Sequence, residues 1–236
     1  PSQSVAKRVI DTLAHSEKTC TVCFLGADAP SLPDNVSFAR TLKAAAELAT
    51  GRSSKNKRPE FKSIIPPVPT GRQRIHGLFC GGTLSSEAQV VFLDQGVSVA
   101  SNAPIPGAEA LGSGTSHVLI DLGSDEYTRG RPHPMIDPTV RDDELTKALS
   151  DTTLAVILLD VVIGFGAHPD PAGTIVQVVA AAGTERPIVV ASVTGTDDDP
   201  QDRRTQMAKL VDGGIVVAPT NADAAKLALS CLVRDD

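Results

Sequence analysis

Five short stretches of this 236-residue chain concentrate the residue types that do chemistry. In GGTLSSEA, residues 81–88, two glycines stand just before a helical pattern. Gly81 and Gly82 let a ligand approach the backbone, and the amides of Thr83, Leu84 and Ser85 would face it with the positive end of the helix dipole. That suits an anion, to which Thr83 adds a hydroxyl; a plain N-cap with a tight turn fits the same residues. In DEYTRGRPHPMIDP, residues 125–138, Arg129 and Arg131 flank a glycine and can grip a carboxylate or phosphate with two prongs each. Pro132 and Pro134 stiffen the loop around His133. A structural lid, with the arginines paired to Asp125, Glu126 or Asp137, is the competing reading.

VILLDVVIGFGAHPDPAG, residues 156–173, starts as a buried strand and breaks into a glycine-proline loop that carries His168 and Asp170. A neutral imidazole there can serve as a general base, as a nucleophile toward phosphorus or as an anion contact. It can equally pack beside the prolines and cap the next helix. TGTDDDPQ, residues 194–201, offers Thr194 and Gly195 to a phosphate, and its aspartates either bind a cation or solvate a loop. TNA, residues 220–222, offers Asn221. No metal site is expected, because no second histidine stands at ligand spacing. Carboxylates alone would suit only Mg²⁺ held together with a substrate phosphate.

These stretches need elements to hold them in one place, and the pattern from residue 74 supplies them. Apolar runs at 75–80, 97–101, 117–122, 155–162, 187–192 and 214–219 alternate with helical patterns at 84–94, 142–150, 172–182, 203–212 and 221–232. Strand–helix alternation implies right-handed crossovers and an α/β fold with a doubly wound, mostly parallel, flavodoxin-like sheet. Ligands of such sheets bind outside the carboxyl ends of the strands, where all five stretches fall. Ahead of this, a helix at 4–15, a strand at 19–25 and a helix at 37–50 make a partial α/β unit. One strand is not a sheet, so residues 1–50 read as the tail of a preceding α/β domain or as an added edge. Residues 51–73, basic and proline-rich, read as a linker or exposed loop, and 74–236 as the main domain.

Composition narrows the partners. The net charge of −6 and an aromatic content of 3% argue against nucleic acid, which needs a basic face or stacking rings. No apolar run is long enough for a membrane span. Cys20 and Cys23 lie on a strand, where residues three apart point to opposite faces, so their thiols diverge. Reduced thiols and a cytoplasmic setting are expected for the four cysteines.

Taken together, GLFCGGTLSSEA, DLGSDEYTRGRPHPMIDP, LLDVVIGFGAHPDPAG, SVTGTDDDPQ and TNADAA resemble the C-terminal half of the FdrA family, relatives of the succinyl-CoA synthetase alpha subunit and other acyl-CoA synthetases. The resemblance spans about residues 74–225 and implies a succinyl-CoA-synthetase-like domain. It also implies that the helix after Gly81, Gly82 and Thr83 holds a phosphate. In the synthetases the loop resembling TGTDDDPQDRR carries a phosphorylated histidine; residues 194–204 here contain none. Some members of the family are implicated in carbamoyl transfer from oxalurate to phosphate, as one subunit of a larger enzyme. The resemblance therefore implies a small-molecule substrate, phosphate as co-substrate, and other subunits or self-association. Three readings follow: an acyl or carbamoyl transferase acting to or from phosphate, an acyl-CoA ligase subunit using CoA and nucleotide, and a non-catalytic scaffold.

Overall fold

The computed structural model describes residues 1–52, 65–115 and 117–232. The chain opens with α1 (Gln3–Ala14), β1 (Cys20–Cys23), β2 (Val36–Ala39) and α2 (Leu42–Thr50). There follow β3 (Arg74–Phe79), α3 (Gly82–Asp94), β4 (Ala100–Ser101), β5 (Glu109–Ala110), β6 (Val118–Asp121), α4 (Asp125–Thr128) and α5 (Thr139–Ser150). The last third holds β7 (Leu154–Val162), α6 (Pro171–Ala181), β8 (Ile188–Thr194), α7 (Arg203–Asp212), β9 (Val216–Ala218) and α8 (Asn221–Ser230).

Strands β3 to β9 form one sheet in the order β5-β4-β6-β3-β7-β8-β9, and every neighbouring pair is parallel. The central strand explains the sequence of LAVILLDVV: helices cover both faces of the sheet, so eight of the nine β7 residues are buried and no polar alternation is needed. Ile157, Leu159 and Val161 face α5, α6 and α7 through Leu145, Ile175 and Leu210. Val156 and Leu158 face α3 and α8 through Leu84, Ala88 and Ala225. The chain thus leaves β3 on one face, by α3, and leaves its neighbours β6 and β7 on the other. Where connections diverge in this way, a crevice opens at the carboxyl ends of the strands.

The first 50 residues differ from the expected helix–strand–helix. Residues 37–50 do not form one helix; Val36 and Phe38 belong to β2, which pairs in parallel with β1. The helix begins only after Thr41, whose side chain accepts from Ala44 N at 3.1 Å. β1 and β2 pair with each other and do not extend the seven-stranded sheet. Other differences are small: α5 starts three residues earlier than expected, α4 and β5 were not foreseen, and only Ala100–Ser101 of the apolar run 97–101 is strand. The centre of the expected linker, residues 53–64, and the C-terminal residues 233–236 lie outside the described residues. The linker's end is anchored: Arg72 donates to the carbonyls of Leu154 at 3.2 Å and Glu185 at 3.2 Å.

One buried carboxylate joins the first 50 residues to the main sheet. Glu87 of α3 is 1% exposed; its Oε1 accepts from Leu42 N at 2.7 Å and Lys43 N at 3.3 Å, and its Oε2 from Asn221 Nδ2 at 2.8 Å. It therefore caps α2 from another helix and ties α8 to the same point. Lys43–Asp223 at 2.6 Å and Arg40–Asp94 at 2.7 Å add ion pairs across the same seam. Replacing Glu87 by Ala strands three donors at a buried junction, and the expected cost is about 2–3 kcal/mol. Urea denaturation should show that loss. Exchange at the Leu42 amide should speed up, while exposed Glu126→Ala changes neither.

Candidate functional site

The site is built from the turn between β3 and α3. Gly81 is the N-cap, in extended conformation at φ −137°, and no side chain caps the helix. The Gly81 carbonyl accepts from both Leu84 N and Ser85 N at 3.1 Å. The free amides are therefore those of Gly82 and Thr83, not Leu84 and Ser85 as the sequence suggested; neither has a partner among the described residues.

Two carboxyl groups flank this turn. Asp160, near the end of β7, is fully buried; its Oδ1 accepts from Cys80 N at 2.7 Å, and its Oδ2 has no hydrogen-bond partner. Burial pushes the Asp160 pKa up to about 6, against the pull of the Cys80 amide and the Arg141 guanidinium. Arg141 is itself 2% exposed, donating to Thr174 Oγ1 at 2.9 Å and lying 3.9 Å from Cys80 Sγ. Burial, and Asp160 after it, raise the Cys80 pKa far above the usual range, so the thiol stays protonated.

The second carboxyl, Asp121, ends β6. Its backbone is clamped by Asn102, which accepts from Asp121 N at 2.8 Å and donates to Asp121 O at 2.9 Å. Its Oδ1 accepts from Gly123 N at 2.9 Å. A Cβ on Gly82 would lie 2.7 Å from Asp121 Oδ2, so position 82 accepts no side chain unless that carboxylate moves.

His133 reaches the same place from the 125–138 loop. A Cβ on Gly123 would lie 2.7 Å from His133 Nε2, 2.9 Å from the Cys80 carbonyl and 3.1 Å from Asp121 Oδ1. His133 Nδ1 takes Met135 N at 3.3 Å, which leaves Nε2 as the N–H of the neutral ring on the Asp121 side. Met135 covers the turn, its Cε 3.2 Å from where a Cβ on Gly81 would stand.

The other residues singled out in the sequence divide. Arg129 and Arg131 are exposed, and no ion pair or hydrogen bond holds their guanidinium groups among the described residues. The expected rival partner Asp137 is taken instead by Thr139 N at 3.0 Å. His168 is half-buried; its backbone N–H donates to the Met135 carbonyl at 2.7 Å, which joins its loop to that of His133. Its Nδ1 accepts from Asp170 N at 3.1 Å, and its charge lies near enough to lower the pKa of Asp137 after the bonds from Thr139. The two histidines thus face different surroundings, His133 at Asp121 and His168 toward Asp137.

Asp170, partly exposed, and Asn221, buried, both have structural partners. Asp170 caps α6 through Gly173 N at 3.3 Å and also holds Gln206 at 3.2 Å and Lys209 at 2.8 Å. Asn221 is 4% exposed, with its Nδ2 on Leu84 O and Glu87. Thr194 is exposed at the end of β8, and Gly195 follows at φ 148°. The aspartates after them close their own turn: Thr196 N donates to Asp199 Oδ2 at 2.6 Å, and Asp202 caps α7. Among the described residues no group of three or more His, Cys, Asp or Glu is placed to hold a metal, and no helix is long and apolar enough to cross a membrane. All four thiols are free.

Residues 78–231, from the end of β3 to just past α8, match the model of the CoA-ligase family. The chain belongs to the CoA-ligase family. Over 255 aligned residues it is 33% identical to the uncharacterized protein YahF of Escherichia coli (strain K12), an alignment covering 100% of this chain and 50% of YahF. The chain therefore spans about half the length of that relative. Solved structures it is similar to include the apo form of the dinucleotide forming acetyl-coenzyme A synthetase 1 of Ca. Korarchaeum cryptofilum, at 17% identity and TM-score 0.49, covering 84% of this chain and 38% of that one. Another is PH0766 from Pyrococcus horikoshii OT3, at 12% identity and TM-score 0.46, covering 98% and 44%. The CoA-ligase match takes in Asp121, His133, Asp160 and the turn at Gly81 together.

The raised pKa of Asp160 makes a stability prediction for this CoA-ligase domain. Between pH 4 and 6 the folded chain keeps a proton that the unfolded chain has lost, so stability falls as pH rises through that window. The loss is on the order of 3 kcal/mol and persists above pH 6. Asp160→Asn, which keeps an acceptor for Cys80 N, should match the wild type at pH 4 and exceed it at pH 7.5 in urea denaturation. Parallel pH profiles for the two proteins would contradict this.

Proposed function

We propose that this chain is a subunit or portion of an enzyme that moves an acyl or carbamoyl group to or from phosphate. The observation that carries the reading is the pair of unpartnered amides at Gly82 and Thr83, on a turn flanked by Asp160 on one side and by Asp121 and His133 on the other. A phosphate there gains charge-assisted hydrogen bonds and the positive end of α3, and the Thr83 hydroxyl adds a third donor. Thr194 and Gly195, at the end of β8, are the proposed second edge of the phosphate site.

In the proposed reaction a phosphate oxygen attacks the carbonyl carbon, the bond from that carbon to the leaving nitrogen or sulfur breaks, and the leaving group takes the proton that phosphate gives up. His133, whose Nε2–H stands beside the turn, gives that hydrogen to the leaving group and takes the phosphate's proton back on the same nitrogen, with Asp121 beside the ring. Arg129 and Arg131, exposed and unpaired on the same loop, hold the oxoacid end of the substrate. His168 supports the loop of His133 through the Met135 carbonyl and is the second candidate for proton transfer. Asp170 and Asn221 hold the framework.

The FdrA resemblance supports the carbamoyl version of the chemistry, and the CoA-ligase match favours a second one, in which the acyl group leaves CoA sulfur. CoA or nucleotide would then be a further substrate of the whole enzyme. Any Mg²⁺ would arrive with a phosphate rather than in a protein cage.

Calorimetric titration with phosphate tests the site. Wild type should bind, and Gly82→Ala should lose binding because the new methyl drives Asp121 into the space above the amides. Equal affinity in both would place the phosphate elsewhere. With oxamate as the probe, Arg131→Lys should weaken binding roughly tenfold, about 1.4 kcal/mol, because a point charge does not replace a planar fork. The control is exposed Arg8→Lys. Arg186, at first sight a surface arginine, bonds the carbonyls of Pro187 and Gly214 and would not serve.

A further inference from the structure

An anion on the Gly82 and Thr83 amides would share the helix end with two carboxyl groups. Asp121 Oδ2 stands 2.7 Å from the Cβ position of Gly82, and Asp160 Oδ2 stands 4.0 Å from that of Gly81. Three negative charges around one turn repel one another, and the two carboxyls are both buried although Thr83 itself is exposed, so binding of the anion favours a neutral form of one carboxyl. The two are not equivalent. Asp121 Oδ1 accepts from the Gly123 amide at 2.9 Å. Asp160 is fully buried and its Oδ2 has no partner in good hydrogen-bond geometry, although the Gly81 amide and the Cys80 thiol lie close enough to act on the carboxyl; Oδ2 is the oxygen placed to carry a hydrogen. Its register partner on β8, Ser192, is also fully buried with an unpartnered Oγ, so the strand ends beneath the turn hold two polar atoms that the fold itself does not use.

We propose that Asp160 is the proton switch of the anion site: the amides of Gly82 and Thr83 accept an anion when Asp160 carries a proton and reject it when Asp160 is ionised. The inference rests on the phosphate reading of the α3 turn and adds what controls it. Burial raises the Asp160 pKa to about 6, which brings the switch within reach of ordinary pH. The groups that face it are few. Cys80, on the β3–α3 turn, stays a neutral thiol; Arg141, from α5, supplies a guanidinium that favours the ionised form. Asp121 from β6 and His133 from its loop stand on the other side of the turn. Glu87, further along α3, is spent on Leu42, Lys43 and Asn221, the last at the start of α8.

Sulfate is the probe, because its charge is constant between pH 5 and 8 whereas that of phosphate is not. In calorimetry the wild-type affinity should fall about tenfold per pH unit above about pH 6, as the linkage of one proton to one anion requires. Two buffers of different ionisation heat should count close to one proton taken up per sulfate at pH 7.5, a reading that needs no variant. Asp160→Asn should bind with no pH slope. His133→Gln should keep the slope, which separates Asp160 from a protonated imidazole. A slope lost in His133→Gln and kept in Asp160→Asn overturns the proposal, as does pH-independent wild-type binding without proton uptake; in those cases the anion site itself stands. Failure of the wild type to bind sulfate at any pH overturns the site and the switch together.

Discussion

The hydrogen bond from Cys80 N to Asp160 Oδ1, at 2.7 Å, fixes where β3 ends and α3 begins. A strand that runs straight into a helix needs an acceptor for the amide at the break, and here a buried carboxyl from the neighbouring strand provides it. Because β7 is held on both sides by β3 and β8, that acceptor does not move. The turn then has one shape, Gly81 faces Met135, and the first two amides of α3 are left without partners. Asp121, clamped by Asn102, sets the opposite wall. The cost is a carboxyl held out of water, which the fold tolerates through a raised pKa rather than through a salt bridge of good geometry.

The surrounding loops are fastened by side-chain amides as well as by the Lys209–Asp170 ion pair. Gln201 accepts from Gly164 N at 3.1 Å and donates to Gly164 O at 2.9 Å and His168 O at 3.2 Å, which ties the loop after β7 to the start of α7. Gln206 accepts from Ala172 N at 2.9 Å and donates to Asp170 Oδ1 at 3.2 Å. Neutral clamps keep their strength at any pH and leave the side chains of Asp121, His133, Arg129 and Arg131 available to a ligand. Phe165, 92% exposed between Gly164 and Gly166, rides on the fastened loop.

The alternating apolar runs and helical patterns made the parallel sheet legible, because a strand buried on both faces, such as LAVILLDVV, leaves a continuous hydrophobic signature. The first 50 residues were misread, since VSFA is too short for its period to show against the following helix and its pairing with β1 is non-local. At the site, the glycine pair before α3 was visible as a local motif. The residues that surround it were not. Asp121 and Asp160 each appear in sequence as one acid inside an apolar strand, in LIDL and LLDVV, and only the sheet register places both beside Gly81 and Gly82. That signal, a carboxylate near the carboxyl end of a buried strand, was available and went unused. Asp170 stands where a catalytic carboxylate is expected, and its Oδ1 also serves the α6 cap, Gln206 and Lys209, hydrogen-bond partners that leave no trace in a single sequence.

The central claim is that the α3 turn receives an anion on two particular amides. The most direct measurement is a phosphate titration followed by amide proton and nitrogen resonances at pH 6. The account predicts saturable downfield shifts largest at Gly82 and Thr83, with Leu84 and Ser85 nearly still because their amides are already bonded to the Gly81 carbonyl. Shifts confined to residues 129–133 or 194–196, with Gly82 and Thr83 unmoved, would contradict it.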